Sequence, residues 1–252
     1  MKQKILREAH AFALFMKDIP VGIVVLFLMS VFAMNLLANK SISLPVDWLA
    51  LDCGIAVSWF AFLTMDVVTK HFGPKAATQL SVFAMAVNLL FCLLLFAGSL
   101  IPGVWGASFV EGSEGVINTA LDQTFGGTWY VLLGSSVAFV VSAAVNNFAN
   151  RAIGRLFRRN PDGRAAYICR SYLSTALGQF VDNIVFALIV SHVFFGWSLL
   201  QCLTCALTGM LVELLCEIIF SEAGFALTKR WKKQGVGKSY LEFLEGQKEN
   251  CQ

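Results

Sequence analysis

The chain has 252 residues, of which 57% are hydrophobic and 14% charged, and its mean hydropathy is +0.69. A soluble domain carries about 25% charged residues, so this composition excludes a water-soluble globular fold and places the chain in a membrane. The formal net charge of +3 is small, which makes the placement of the basic residues the informative quantity. Seven cysteines, an odd number scattered through apolar stretches, read as free thiols and not as a disulfide scaffold.

Residues 1–19 carry Lys2, Lys4, Arg7 and Lys17 ahead of an apolar run that is too long for a signal-peptide core and has no clear cleavage site. They are expected to form a retained interfacial helix. Apolar runs follow at 20–39, 49–68, 77–100, 129–148, 172–194 and 199–220, each near the roughly 20 residues that cross a bilayer. Membrane strands need only about ten residues of alternating polarity, so continuous runs exclude a barrel. Gly196, Trp197 and Ser198 alone join the last two runs, which predicts a tight hairpin. The segment 101–128 bears Glu111, Glu114 and Asp122 with no basic residue, as an external loop would. Past Leu241 the tail is short and polar and is expected to fray.

These elements predict an all-α integral membrane protein of six transmembrane helices with cytoplasmic N- and C-termini. The basic residues support that arrangement. Four lie before the first run, Lys70 and Lys75 after the second, Arg151, Arg155, Arg158, Arg159, Arg164 and Arg170 after the fourth, and six in the tail, so only Lys40 falls on the opposite side. The expected organisation is a cytoplasmic segment at 1–19, a six-helix transport domain at 20–220 and a basic cytoplasmic tail at 221–252. Two three-helix halves of opposite orientation would permit an inverted repeat, although no sequence echo joins them.

Polar groups inside such runs are the candidate functional residues, because a carboxylate at the bilayer centre costs roughly 2.5 to 3.5 kcal/mol on insertion scales. In the fifth run, Ser171, Thr175, Gly178, Gln179, Asp182 and Phe186 share one helical face. That polar stripe reads either as a ligand site or as an interhelical hydrogen-bond clasp. The second run puts Asp52, Trp59 and Asp66 on one face: Asp66 is placed to pair with Lys70, Asp52 to be solvated near the outer surface, and Trp59 at mid-depth to stack on a planar ligand or to pack. Glu213 and Glu217, four apart in the sixth run, would repel if both were ionised, so one is expected to be protonated or paired. Asn35, Asn39, Asn88, Asn146 and Asn147 add neutral donors and acceptors, Asn35 being the strongest candidate among them. His192, near the outer end of the fifth run, is expected to serve packing or the surface.

No P-loop, H-E-x-x-H or G-x-S-x-G motif occurs, and Cys202 and Cys205 form a lone C-x-x-C without a second ligand pair. Neither a cofactor nor a metal is expected, and the arginine cluster reads as topology signal and phospholipid contact, not nucleic-acid binding.

Several of these residues stand in a recognisable order. Ala38-Asn39-Lys40 is followed by Leu63-Thr64-Met65-Asp66-Val67-Val68 and Phe72-Gly73, and later by Arg170, Ser174-Thr175, Gln179, Asp182 and Phe186. This pattern resembles the queuosine precursor transporter family, also called vitamin uptake transporters, over nearly the whole membrane domain. The chain departs from the family pattern at Ser58-Trp59, where Phe-Pro is common, and at Ala143 and Asn146, where a Gln-x-x-Asp is common. It departs again at Glu213, Glu217 and Ala223, where the family has a Lys and a later Pro. The resemblance implies uptake of a 7-deazaguanine base or nucleoside, and the added acids hint at a cationic, aminomethyl-bearing precursor.

A nucleobase-like ligand would suit Trp59 for stacking and Asn35, Asp66, Gln179, Asp182 and Glu213 for its polar edge. The implied mechanism is alternating access in a bacterial inner membrane, with proton coupling if Asp182 or Glu213 titrates. The partners would be this small molecule and membrane lipids, with a homo-oligomer or energising subunits left open. The competing readings are the substrate-binding subunit of an energy-coupling-factor vitamin importer, a membrane-embedded enzyme using the acids in general acid–base chemistry, and a scaffold.

Overall fold

A computed structural model describes residues 2–106, 114–156 and 173–249. Among these the fold is all helical, with no strand and only an isolated bridge between Ser41 and Asp52. Arg158, Arg159, Arg164, Arg170, Ser171 and Glu111 lie outside the described residues. The helices are α1 (Lys2–Asp18), α2 (Val21–Leu37), α3 (Ile55–Phe72), α4 (Pro74–Ser99), α5 (Glu114–Gly127), α6 (Trp129–Leu156), α7 (Ser174–Phe195), α8 (Leu199–Gln234) and α9 (Lys238–Glu249).

Among the described residues, four stretches are long and apolar enough to cross a membrane: Pro74–Ser99, Gly115–Asn146, Ser174–Phe195 and Leu199–Phe220. A fifth is reached if Leu6–Asp18 and Val21–Leu37, bent by 105° at their junction, count as one. The break falls at Pro20, whose fixed φ and missing N–H suit the residue at the start of α2. Similar chemistry separates α3 from α4, where Gly73 takes φ +91° and Pro74 begins the next helix.

The chain forms two compact units. The first takes Met1–Phe32, Val57–Val87 and Cys216–Gln252, the second Ala33–Ala56 and Asn88–Leu215. In the first unit, α1 packs along α9. Phe15 meets Phe72 edge-on with centroids 5.3 Å apart and Tyr240 at 5.4 Å, and Trp231 lies 5.2 Å from His71. Asp18 accepts the Tyr240 backbone N–H at 2.8 Å, which satisfies one of the orphan donors at the start of α9. His71 Nε2 donates to the Val236 carbonyl at 2.8 Å and ties down the glycine turn at Gly235 and Gly237.

One expectation fails here. The tail does not fray: α9 runs to Glu249, because Leu241 and its neighbours belong to an amphipathic helix anchored by fully buried Tyr240. The sixth apolar run coincides with the span Leu199–Phe220, and the helix that carries it continues without a break to Gln234 and buries Trp231. A polar sequence is no helix terminator when its apolar positions find a surface to cover.

The second unit holds the segment between α2 and α3. The apolar run at 49–68 is not one helix, because α3 starts only at Ile55. Before it, Ile42 N–H donates to Leu51 O at 2.7 Å and Cys53 N–H to Lys40 O at 2.8 Å. The segment 101–128 is partly helical as α5, and Trp105 is held against it: its indole donates to Asp122 and its backbone N–H to Asn118, both at 2.8 Å. The expected hairpin at 196–198 is present, with Gly196 at φ +71° and His192 Nδ1 donating to the Trp197 carbonyl at 2.6 Å.

Tyr240 is completely buried, yet its hydroxyl has no hydrogen-bond partner among the described residues. Its ring therefore stabilises the contact while its hydroxyl does not. Tyr240→Ala should cost about 3 to 5 kcal/mol and open α9 to limited proteolysis, whereas Tyr240→Phe should be neutral or stabilising. A protease-resistant α9 in the alanine variant would contradict this packing.

Candidate functional site

In the second unit, α7 presents its polar residues to two neighbours. Gln179 is 3% exposed, and neither its Nε2 nor its Oε1 has a partner among the described residues. One turn on, Asp182 Oδ1 accepts the Ser142 hydroxyl of α6 at 2.9 Å. The next residue, Asn183, turns about 100° away around the helix and donates Nδ2–H to Glu213 Oε2 of α8 at 3.1 Å.

Glycines permit these approaches. A Cβ on Gly178 would stand 3.2 Å from Asn146 Cβ, and one on Gly209 would stand 2.9 Å from Asn183 Nδ2. Small residues at helix contacts are how membrane helices approach closely without a hydrophobic driving force between them. Asn146 adds a second orphan, since its Oδ1 is buried with no partner among the described residues. Beyond Phe186 the helix opens into a π-helical stretch, Ala187–His192. Gly134 of α6 lies so close to Val190 there that a Cβ would collide with its side chain. Such widened turns occur mostly as local breaks near functional sites.

Of the residues singled out from the sequence, the structure brings Gln179 and Asp182 onto one face of α7 and links Glu213 to that helix through Asn183. Asn35, also in this unit, is 3% exposed with its Nδ2 unpartnered among the described residues. One turn later, Asn39 accepts the Tyr130 hydroxyl at 2.9 Å. The first unit holds Trp59 and Asp66. Trp59 stacks with Phe60 at 3.6 Å and with Phe220 at 4.5 Å between centroids, so its ring is engaged by protein aromatics. Asp66 pairs with Lys70 at 2.7 Å, as their spacing predicts. Glu217 feels the charges of both, and its Oε2 is buried without a partner among the described residues.

Sequence reasoning passed over Ser142, Asn183 and Gly209. A polar residue beside a buried acid and a glycine one turn ahead of another acid were the signals. A cleft of about 650 Å³ lies elsewhere, where the α3–α4 turn at His71 and Gly73 meets Leu241 and Leu244 of α9. No sequence-predicted site residue lines it, and the polar chemistry just described points to α7 instead.

The family described as "Putative vitamin uptake transporter" matches residues 52–225. The chain belongs to this family. A relative from Bacillus subtilis (strain 168), described as "Probable queuosine precursor transporter", is 32% identical over 128 residues, which is 51% of this chain and 51% of the relative. The match thus spans about half the length of the curated relative. No solved structure matches the chain. Family membership and the apolar helices agree on a multi-pass membrane protein of a transport family.

Asp52, expected to be solvated, is half-buried. It lies ahead of α3, accepts the Gly54 N–H at 2.7 Å, and burial pushes its carboxyl from 3.8 up to about 6. A group whose folded pKa is raised favours folding while protonated, so that advantage is full below 3.8 and lost as pH climbs to about 6. The melting temperature should therefore fall between about pH 4 and about pH 7, and Asp52→Asn, which keeps the acceptor for Gly54, should flatten the decline. An identical profile in the variant would show that Asp52 is not the titrating group.

Proposed function

We propose that the protein imports a queuosine precursor, a 7-deazaguanine base or its nucleoside, by alternating access. In this reading six spans cross a bacterial inner membrane with both termini cytoplasmic. Residues 20–220 carry transport, with 1–19 and 221–252 on the cytoplasmic side.

The observation that carries the reading is Gln179. A carboxamide held at 3% exposure with both polar atoms unpartnered among the described residues is complementary to a lactam edge, which offers one carbonyl acceptor and one N–H donor side by side. In that pairing Gln179 Nε2 donates to the base carbonyl and Oε1 accepts the ring N–H. Asp182, already oriented by Ser142, accepts from the exocyclic amine, and Asn146 Oδ1 takes a further N–H. Asn35 and Glu213, in the same unit, complete the proposed polar set, while a ligand role for Trp59 and Asp66, in the first unit, is a separate proposal that substitution tests. A neutral pairing of this type rejects analogues lacking a donor or acceptor, because the protein's own buried groups are then left unpaired. Support also comes from the family match and from the name of the Bacillus subtilis relative.

Uptake of a radiolabelled 7-deazaguanine base by cells without their own uptake route tests the assignment. Asp182→Asn should lower uptake by more than about tenfold, equivalent to about 1.4 kcal/mol, while membrane insertion stays normal. Wild-type uptake by that variant would remove Asp182 from the mechanism. Trp59→Ala should weaken uptake more than Trp59→Phe if the ring stacks on the base, and equal losses would assign Trp59 to its contacts with Phe60 and Phe220. Proteoliposomes holding the purified protein alone should accumulate the base. Binding without accumulation would transfer the energising step to partner subunits, as in an energy-coupling-factor importer.

A further inference from the structure

Asn183 belongs to no motif noted in the sequence, yet it makes a polar contact between α7 and α8. Gly209 and Glu213 lie four residues apart on α8 and therefore share a face. The Asn183 amide lies over Gly209 and reaches Glu213 Oε2 at 3.1 Å. No other residue type fits at 209 without displacing it, since a Cβ there would stand 2.9 Å from Asn183 Nδ2 and 3.2 Å from its Cγ. Glu213 is 3% exposed, so the direction of its carboxylate is fixed by what donates to it and not by solvent. On the adjoining face of α7, Asp182 is oriented by Ser142. At both helix contacts an acid accepts from a neutral donor supplied from across the contact, Asp182 of α7 from Ser142 of α6 and Glu213 of α8 from Asn183 of α7.

We propose that Asn183, seated in the slot that Gly209 leaves open, is a positioning residue that orients the Glu213 carboxylate for ligand recognition. The inference rests on the transport reading above. If Asn183 is displaced, Glu213 remains buried but loses the donor that aims its Oε2 toward α7, so recognition suffers more than the fold. A purely structural clasp behaves differently, because any pair that restores the hydrogen bond restores everything.

The test uses the purified full chain in detergent, with 7-aminomethyl-7-deazaguanine as the probe. Asn183→Ala and Gly209→Ala should each weaken probe affinity by at least about tenfold. The exchanged pair, Asn183→Asp with Glu213→Gln, keeps the hydrogen bond with donor and acceptor reversed. It should recover the wild-type melting temperature without recovering affinity. Recovery of both would reduce the pair to a clasp and overturn the proposal, as would wild-type affinity in Gly209→Ala. A ligand-free melting cycle across Asn183 and Glu213 checks the contact by itself: additive effects would overturn the contact whatever the probe does. Failure of the wild type to bind, with the cycle still coupled, would instead overturn the transport reading on which this role depends.

Discussion

A buried carboxamide with no hydrogen-bond partner among the described residues is the constraint around which the second unit is arranged. Leaving such a group unsatisfied costs about 1 to 3 kcal/mol, and Gln179 carries both an unpaired donor and an unpaired acceptor among the described residues. Core positions that serve only stability take leucine or alanine. The surrounding geometry makes the cost hard to relieve locally, because Gly178 brings the helix against Asn146, whose own Oδ1 is an orphan. Ser142 is already committed to Asp182, and Asn183 to Glu213. The nearby groups either have partners or share the need for one, which is the condition under which a ligand edge adds hydrogen bonds without first breaking any.

The first unit works by different physics. Its order comes from aromatic packing among Phe15, Phe72, Trp231 and Tyr240, with Asp18 and His71 supplying single hydrogen bonds at helix ends. Tyr240 shows the same signature as Gln179, a buried polar atom without a partner among the described residues, but with the opposite meaning. Its hydroxyl is incidental to a ring that fills space, whereas a glutamine side chain has little apolar surface to justify burial. Position in the fold, and not the orphan alone, separates a packing residue from a candidate ligand group.

Much of this was legible in the sequence. Hydropathy located the apolar runs, because transfer free energy sums along a helix regardless of its neighbours. The Asp66–Lys70 pair followed from helical spacing, and the α7 stripe of Gln179 and Asp182 from the 3.6-residue period. What hydropathy could not locate was the point where backbone hydrogen bonding changes partner. Residues 49–54 are as apolar as the helix that follows, yet Leu51 and Cys53 bond back to Ile42 and Lys40. The continuation of α8 and the order in α9 were hidden for a related reason, since their apolar positions matter only once Trp231 and Tyr240 have a cluster to enter. Asn183 was invisible because its role depends on Gly209, a contact 26 positions away that no periodicity records.

The central claim is that Gln179 is buried for the sake of a ligand, and its nearest apolar counterpart tests this directly. Thermal unfolding of the purified protein, with and without 7-deazaguanine bases, would be compared between the wild type and Gln179→Leu. Ligand binding to the native state raises its melting temperature. The account predicts that the wild type is stabilised by a deazaguanine, while Gln179→Leu is more stable than the wild type without ligand and gains nothing when it is added. A variant that is less stable, or that is stabilised as the wild type is, would mean that the Gln179 amide serves the fold and that the ligand site lies elsewhere.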